Sequence, residues 1–266
     1  MKAWEGVGEA YAASYASLCA GTHDEILRRL GTAHGRRVLD AGSGTGALAA
    51  RLMDAGWSVT GCEPEATMRV VAARNHPQVS MVEGALPALP FDDAAFDAVT
   101  ANFVLNHVSD PRAAAQEIAR VAAPDAVMIA TIWIVSPSWF WQRVCDRAGL
   151  VVSPTGRLAP EKDFERSSAG FGGMLSEGGW PAVDVAEFSW TWRPTTAELW
   201  RSAEGGVASA GAFYRSLETA ERERFARAFD RLCEECSDDG RVALDHTAAV
   251  AVSRRGERAG EPRPHA

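Results

Sequence analysis

Lysine is almost absent from the chain: Lys2 and Lys162 are its only two, among 27 basic residues in 266. Acidic residues outnumber basic ones, 35 to 27, for a formal net charge of -8. A balance of this sign disfavours broad phosphate-backbone binding, which needs a basic face, so no nucleic-acid partner is expected. Cysteine is sparse. The five, at 19, 62, 145, 233 and 236, are odd in number and scattered. That excludes a disulfide framework and favours a reducing compartment. Cys233 and Cys236 form a lone C-x-x-C with no second cysteine pair and no histidine nearby in sequence. They read as two positions of a helix, and no metal is expected. Long apolar runs are also missing. The longest, around 126–135, is too short to cross a bilayer and reads as a buried strand. Met1-Lys2-Ala3-Trp4-Glu5-Gly6 has no apolar core of a signal peptide. The expectation is a cytoplasmic protein with no membrane partner.

What is present is ordinary for a folded domain: 47% apolar and 23% charged residues. The length suits one α/β domain carrying an insertion or a small cap. Residues 4–31 read as two helices, with Tyr11, Tyr15 and Leu18 at amphipathic spacing, Thr22 as a cap of the second and Gly31 as its stop. Strands are expected at 37–41, 57–62, 79–82, 96–101 and 126–133, and helices at 45–55, 65–74 and 111–122. A turn covers 88–93, with Asp92-Asp93 solvated. This alternation implies a doubly wound, mostly parallel α/β sheet with helices on both faces. After Trp133 the rhythm fades. The stretch 136–179 is rich in Gly, Ser, Pro and aromatics. A strand follows at 184–192, helices at 196–203 and 219–236, and a last strand at 242–252. No internal repeat is seen.

The informative element is a strand entering Asp40-Ala41-Gly42-Ser43-Gly44-Thr45-Gly46 and then a helix. Glycines turn tightly and let backbone approach a ligand, and the helix N-terminus favours negative charge. Two cofactor classes compete. Gly42-x-Gly44-x-x-Ala47 satisfies the dinucleotide fingerprint of a nicotinamide-dependent oxidoreductase. Against it, Asp40 would repel a pyrophosphate but can accept from an ammonium. Gly46 continues the glycine spacing, and Glu63 at the end of the second strand suits a grip on two ribose hydroxyls. These favour S-adenosyl-L-methionine.

With these residues in view, the sequence resembles class I S-adenosylmethionine-dependent methyltransferases of the small-molecule type, similar to the menaquinone and ubiquinone methyltransferases. The resemblance rests on Val38-Leu39-Asp40-Ala41-Gly42-Ser43-Gly44-Thr45-Gly46, on Gly61-Cys62-Glu63-Pro64 with Met68, and on Val82-Glu83-Gly84-Ala85. It continues through Leu89-Pro90-Phe91, Phe96-Asp97-Ala98-Val99 and Asn102-Phe103-Val104-Leu105-Asn106-His107-Val108. It covers residues 10–133 well, extends to 248–255, and is loose between 136 and 240. It implies a seven-stranded Rossmann-like sheet with a helical lid. Residues 1–35 would form the N-terminal lid and 36–135 the cofactor-binding core. Residues 136–240 would form an acceptor and lid region with one core strand, 241–253 the final strand, and 254–266 a tail.

The implied function is methyl transfer to O, N or C of a small-molecule acceptor in specialised metabolism. A same-fold protein that binds the cofactor without methylating, such as a cyclase, is the alternative. A homodimer is a candidate assembly. The cofactor contacts implied are Tyr15, Asp40, Ala41, Gly42, Ser43, Gly44, Gly46, Glu63, Pro64 and Met68, then Gly84, Ala85, Leu86, Asn102 and Phe103. His107 is the candidate base. Its position after the fourth strand and its ordinary pKa suit proton work near neutrality. Trp133, Trp139, Phe140 and Trp141 are candidates for an acceptor wall, and His246 reads as structural. One departure stands out: the family usually has an aspartate where Ala85 stands, accepting from the adenine amino group. Glu83 would point to the other face.

Overall fold

The computed structural model describes residues 4–152 and 158–255. Three short helices, α1 (Gly8–Ala12), α2 (Tyr15–Cys19) and α3 (His23–Leu30), precede the first strand. Then β1 (Arg37–Ala41), α4 (Ala47–Asp54), β2 (Ser58–Cys62), α5 (Ala66–Asn75) and β3 (Ser80–Val82) follow. Next come β4 (Phe96–Asn102), α6 (Pro111–Val121), β5 (Ala122–Val135), α7 (Ser138–Ala148) and α8 (Ser168–Glu177). The chain closes with β6 (Asp184–Trp192), α9 (Thr196–Glu204), α10 (Ala208–Ser216) and α11 (Thr219–Cys236). A small ribbon of β7 (Ser237–Asp238) and β8 (Arg241–Val242) leads into β9 (Leu244–Arg254).

Seven strands make one sheet in the order β3-β2-β1-β4-β5-β9-β6. The first five pair in parallel, and β9 lies antiparallel between β5 and β6. This is the doubly wound, mostly parallel architecture that the alternation predicts. Chain order reverses between β1 and β4, so the crevice of such a sheet opens beyond their carboxyl ends. One face of the sheet buries Val99, Ile118, Met128 and Phe171, and the other Val38, Leu52, Val127 and Ile129. A third core joins the helices of both chain ends with the ends of β6 and β9. There Tyr15 and Leu18 of the N-terminal helices pack with Phe140, Trp141, Phe225 and Phe229. The lid thus has its own apolar interior, built from both ends of the chain.

The structure departs from the sequence reading in several places. Within 136–240 it adds α7, α8 and α10. The buried face of α7 is Phe140, Trp141, Val144, Cys145 and Ala148, a helical spacing hidden among aromatics. The interior of α8 carries Gly170, Gly172 and Gly173, poor helix formers. A Cβ at Gly170 would stand 2.4 Å from the Glu165 carbonyl oxygen, so the close approach of the preceding loop requires glycine there. The strand read from residue 126 begins instead at Ala122, directly after α6. Thr22 makes no side-chain cap of α3. Cys233 and Cys236 both lie on α11, as read. Among the described residues no helix is long and apolar enough to cross a membrane. The expected tail, past Arg255, lies outside the described residues, as do Met1–Ala3 and part of the acceptor region at 153–157.

One polar network ties the tip of β4 to the lid. Asn102 Oδ1 accepts from Thr131 Oγ1 at 2.6 Å and from Thr22 Oγ1 at 2.9 Å. Its Nδ2 donates to the Cys19 carbonyl at 3.2 Å. The Phe103 N–H donates in turn to Thr131 Oγ1 at 2.9 Å. Thr22 and Thr131 are fully buried, so their hydroxyls have no water to fall back on. Asn102→Ala should therefore lower stability by about 1–3 kcal/mol, the cost of leaving buried polar groups unpaired. Urea unfolding midpoints check this, and an unchanged midpoint would refute the role given to the network.

Candidate active site

The site is assembled where β1, β2 and β4 end. Asp40, at the end of β1, is 2% exposed. Its Oδ2 accepts from Ser43 Oγ at 2.8 Å and its Oδ1 from Thr100 Oγ1 at 2.9 Å. Burial outweighs these bonds and pushes the carboxyl up to about 6. The N–H groups of Gly42 and Ser43 both donate to the Cys62 carbonyl, at 2.8 and 3.0 Å, binding the turn to the end of β2. Gly42 has φ +71°, and a Cβ there would stand 2.4 Å from Val104 Cγ2. No other residue fits that position. The Gly44 N–H donates to Glu63 Oε2 at 2.9 Å, and the Glu65 N–H to Glu63 Oε1 at 2.9 Å. Each Glu63 oxygen keeps a second acceptor site. Burial raises the Glu63 carboxyl above the usual range.

Beyond these strand ends opens a cleft of about 920 Å³. That lies at the large end of small-molecule sites, which run to roughly 1,000 Å³. Gly42, Gly44, Glu63, Pro64 and Met68 border one side of it, and Gly84, Ala85 and Leu86 another. Asn102, Phe103 and His107 come from the end of β4 and the turn after it. A recess of about 40 Å³ beside the glycine turn is bordered by Asp40, Gly42, Ser43, Tyr11 and Asn102.

Residues 39–130 match a family model described as a methyltransferase domain. Over 104 residues the chain is 36% identical to a demethylmenaquinone methyltransferase of Renibacterium salmoninarum, covering 39% of this chain and 44% of that protein. Over 119 residues it is 37% identical to the one of Beutenbergia cavernae, covering 43% and 50%. The chain thus spans about half the length of the relatives it matches. The YcgJ protein of Bacillus subtilis superposes with a TM-score of 0.58 at 18% identity, over 89% of this chain and 99% of that one. Phosphoethanolamine N-methyltransferase 2 of Haemonchus contortus superposes with a TM-score of 0.53 at 17% identity, over 89% and 52%. At such identities these likenesses speak to fold alone.

Most residues singled out from sequence meet at this end of the sheet, but not all in the role assigned. Ala41 is enclosed in the sheet, and Gly46, at φ +79°, starts α4 against Ala72 and His76. Neither borders the cleft or the recess. Tyr15 reaches the cleft wall, but its hydroxyl accepts from Trp141 Nε1 at 2.7 Å, and burial pushes it up to about 12. Tyr11, not Tyr15, stands beside the glycine turn: its ring is 3.8 Å from where a Gly44 Cβ would be. The two sit at one helical spacing in sequence, but the chain breaks between α1 and α2 at Ser14 and separates their directions.

The Asn102 side chain is engaged by the network above, so what it offers the cleft is mainly backbone and position. Phe103 has φ +57° and stacks on Trp133, ring centroids 3.8 Å apart. Of the candidate acceptor wall, Trp133 and Trp141 line the cleft. Trp139 does not, and Phe140 is buried in the lid core against Phe229. His246 is buried against Trp133, Trp190 and Trp192.

His107 lies in the turn after β4, its N–H donating to the Val104 carbonyl at 2.8 Å. Its ring meets Trp4 edge-on at 5.0 Å. It opens to water through the cleft, yet crowding by the walls lowers its imidazole to about 4, with the charge of Arg166 adding to the effect. It is neutral near pH 7, and the lowering makes it a weaker base than a free imidazole. Sequence reasoning missed Trp4 and Arg166 on the cleft. Neither stands in a motif, and Arg166 sits in the stretch without periodicity.

Asp40 sets a pH dependence. A carboxyl raised from an ordinary 3.8 to about 6 favours the folded state when protonated. That contribution is complete below about pH 4 and is lost as pH rises through 6. Wild type should therefore lose stability relative to Asp40→Asn between pH 4.5 and 7.5, by at most about 3 kcal/mol. Urea midpoints of both proteins at the two pH values test it; a gap independent of pH would contradict the assignment.

Proposed function

We propose that the chain is an S-adenosyl-L-methionine-dependent methyltransferase acting on O, N or C of a small-molecule acceptor, in specialised metabolism. One observation carries the choice of cofactor. The N–H groups of Gly42, Ser43 and Gly44 all donate within the protein, to the Cys62 carbonyl and to Glu63. A pyrophosphate needs such amides free, and here it would also face two buried carboxylates. A nucleoside with hydroxyls and an ammonium group suits the same surface. The matched methyltransferase domain supports the same reading.

Glu63 would hold both ribose hydroxyls through the acceptor sites its backbone partners leave open. Met68 and Leu86 offer apolar flanks for adenine on the cleft wall. With Ala85 in place of an aspartate, the adenine edge is left to backbone groups and water. The amino-acid end fits the recess, where Asp40 can accept from the ammonium. The bound cofactor supplies a methyl group on a positively charged sulfur. The chain's part is to orient the acceptor in line with that methyl group and to keep water out. The Phe103–Trp133 stack helps to close that region. A neutral His107 imidazole nitrogen would take the proton from an acceptor O–H or N–H as the bond to carbon forms.

Calorimetry should show S-adenosylhomocysteine binding more tightly than NAD; the reverse order would sink the reading. Glu63→Ala should weaken S-adenosylhomocysteine binding by about 1.5–3 kcal/mol, the range for charge-assisted hydrogen bonds. Affinity equal to wild type would refute the ribose role. With methyl-labelled cofactor and a panel of small phenols and amines, His107→Ala should lower kcat well before it alters cofactor affinity. Loss of both together would mark His107 as structural, and bound cofactor with no label transferred to any acceptor would favour a non-methylating protein.

A further inference from the structure

The cleft is electrically lopsided. Its acidic lining residues are Glu5, Glu63 and Glu65. Glu63 and Glu65 are fixed at the end of β2: Glu63 takes the Gly44 N–H, and Glu65 takes the Thr67 and Gly6 N–H groups. Among the described residues only one lining group, Arg166, carries a permanent positive charge. It stands near His107, whose imidazole its charge depresses. The far wall of that region is aromatic, with Trp4 edge-on to His107 and Trp133 stacked on Phe103.

Arg166 is held in place. Its guanidinium lies over the Phe164 ring, 3.8 Å from the centroid. Its Nη1 donates to Asp163 Oδ1 at 2.8 Å and to the Phe164 carbonyl. These bonds use one of the three guanidinium nitrogens, while the planar fork matches a carboxylate or phosphate edge. Asp163 offsets part of the charge; it also fixes the direction of the fork. Nearby, Asn106 lines the cleft, and its Oδ1 has no hydrogen-bond partner although buried. A buried acceptor without a donor is costly unless a ligand brings one.

We infer that the acceptor carries an oxyanion, a carboxylate or phosphate, on an apolar or aromatic body, and that Arg166 is the residue selecting it. This rests on the methyltransferase reading for the word acceptor, but the anion site itself is independent of it. The oxyanion would sit on the Arg166 fork, with the ring body between Trp4 and Trp133. A hydroxyl or amine of the same molecule would then lie beside His107 and could donate to Asn106. In this arrangement a neutral isostere fills the same space but leaves the guanidinium without its partner.

The test uses the full chain and three probes of one shape: 2-naphthoate, 2-naphthyl phosphate and neutral 2-naphthamide. Calorimetry is run with and without saturating S-adenosylhomocysteine. Wild type should bind at least one anion about tenfold more tightly than the amide, the low end for a charge-assisted pair in a partly open site. The tighter of the two anions identifies which oxyanion the fork takes. Arg166→Gln should bring anion and amide within twofold of each other while leaving S-adenosylhomocysteine affinity unchanged. Arg166→Lys should keep a reduced preference. Equal binding of amide and anions by wild type would overturn the proposal, as would a preference surviving in Arg166→Gln. A loss of S-adenosylhomocysteine affinity matching the loss of anion affinity would also overturn it, by placing Arg166 on the cofactor. Failure of S-adenosylhomocysteine to bind wild type would instead strike the cofactor reading, and the anion preference measured without it would still stand or fall alone.

Discussion

The buried carboxylate of Asp40 is the constraint from which the site follows. A charge so enclosed is costly, and two hydroxyl donors offset only part of that cost, which is why its pKa stays high. Those two donors come from different elements: Ser43 from the glycine turn and Thr100 from β4. Satisfying one group therefore locks the turn onto the neighbouring strand at the point where sheet order reverses. Gly42 is then pressed against Val104, and Val104 accepts the His107 N–H. A chain of contacts thus runs from a carboxylate at the base of the turn to the imidazole in the cleft. A small displacement of the turn would move His107 with it.

The N-terminal helices obey a second constraint: α3 buries Ile26 and Leu30 against one face of the sheet, while Tyr15 and Leu18 of α2 pack with the C-terminal helices. Helices α1 to α3 are too short to be stable alone. Helix α2 is held by residues more than a hundred positions away, while α1 is tied to α5, where the Gly8 N–H donates to Thr67 Oγ1 at 3.0 Å. Trp141 Nε1 donates to Tyr15 Oη at 2.7 Å and Trp192 Nε1 to Ser17 Oγ at 3.0 Å. Gly21 leaves room for the Trp190 ring, since a Cβ there would stand 2.3 Å from the indole nitrogen. The roof of the cleft is consequently packed structure, joined at its inner edge to Asn102.

The first half of the chain was legible because two strong signals coincide there. Hydrophobic periodicity marks β1 to β5, and glycine with acidic residues punctuates the strand ends that matter. Asp40, Glu63 and His107 could be placed without coordinates since each lies within a few residues of a strand end. The lid resisted for physical reasons. The α8 glycines answer to close packing and argue against a helix on propensity. The α7 aromatics obscure a regular helical face. The sequence points to Tyr15 where Tyr11 stands beside the glycine turn, because helical spacing does not show the break at Ser14. Arg166 reaches the cleft from an irregular segment, where no period says which way a side chain points.

The glycine turn also shows where a motif stops and hydrogen-bond accounting begins. Gly42-x-Gly44-x-x-Ala47 is compatible with a dinucleotide as a pattern of residue types, because glycine permits either use of the backbone. What separates the two uses is the destination of the turn's N–H groups. In a phosphate cradle they point at the ligand. Here three of them point inward, two to the Cys62 carbonyl and one to Glu63, and the carboxylate that receives the third is the one facing the cleft. The turn therefore offers its ligand acceptors in place of donors. That inversion of polarity, written by Asp40 and Glu63 and not by the glycines, is what makes a hydroxylated, cationic cofactor the better fit.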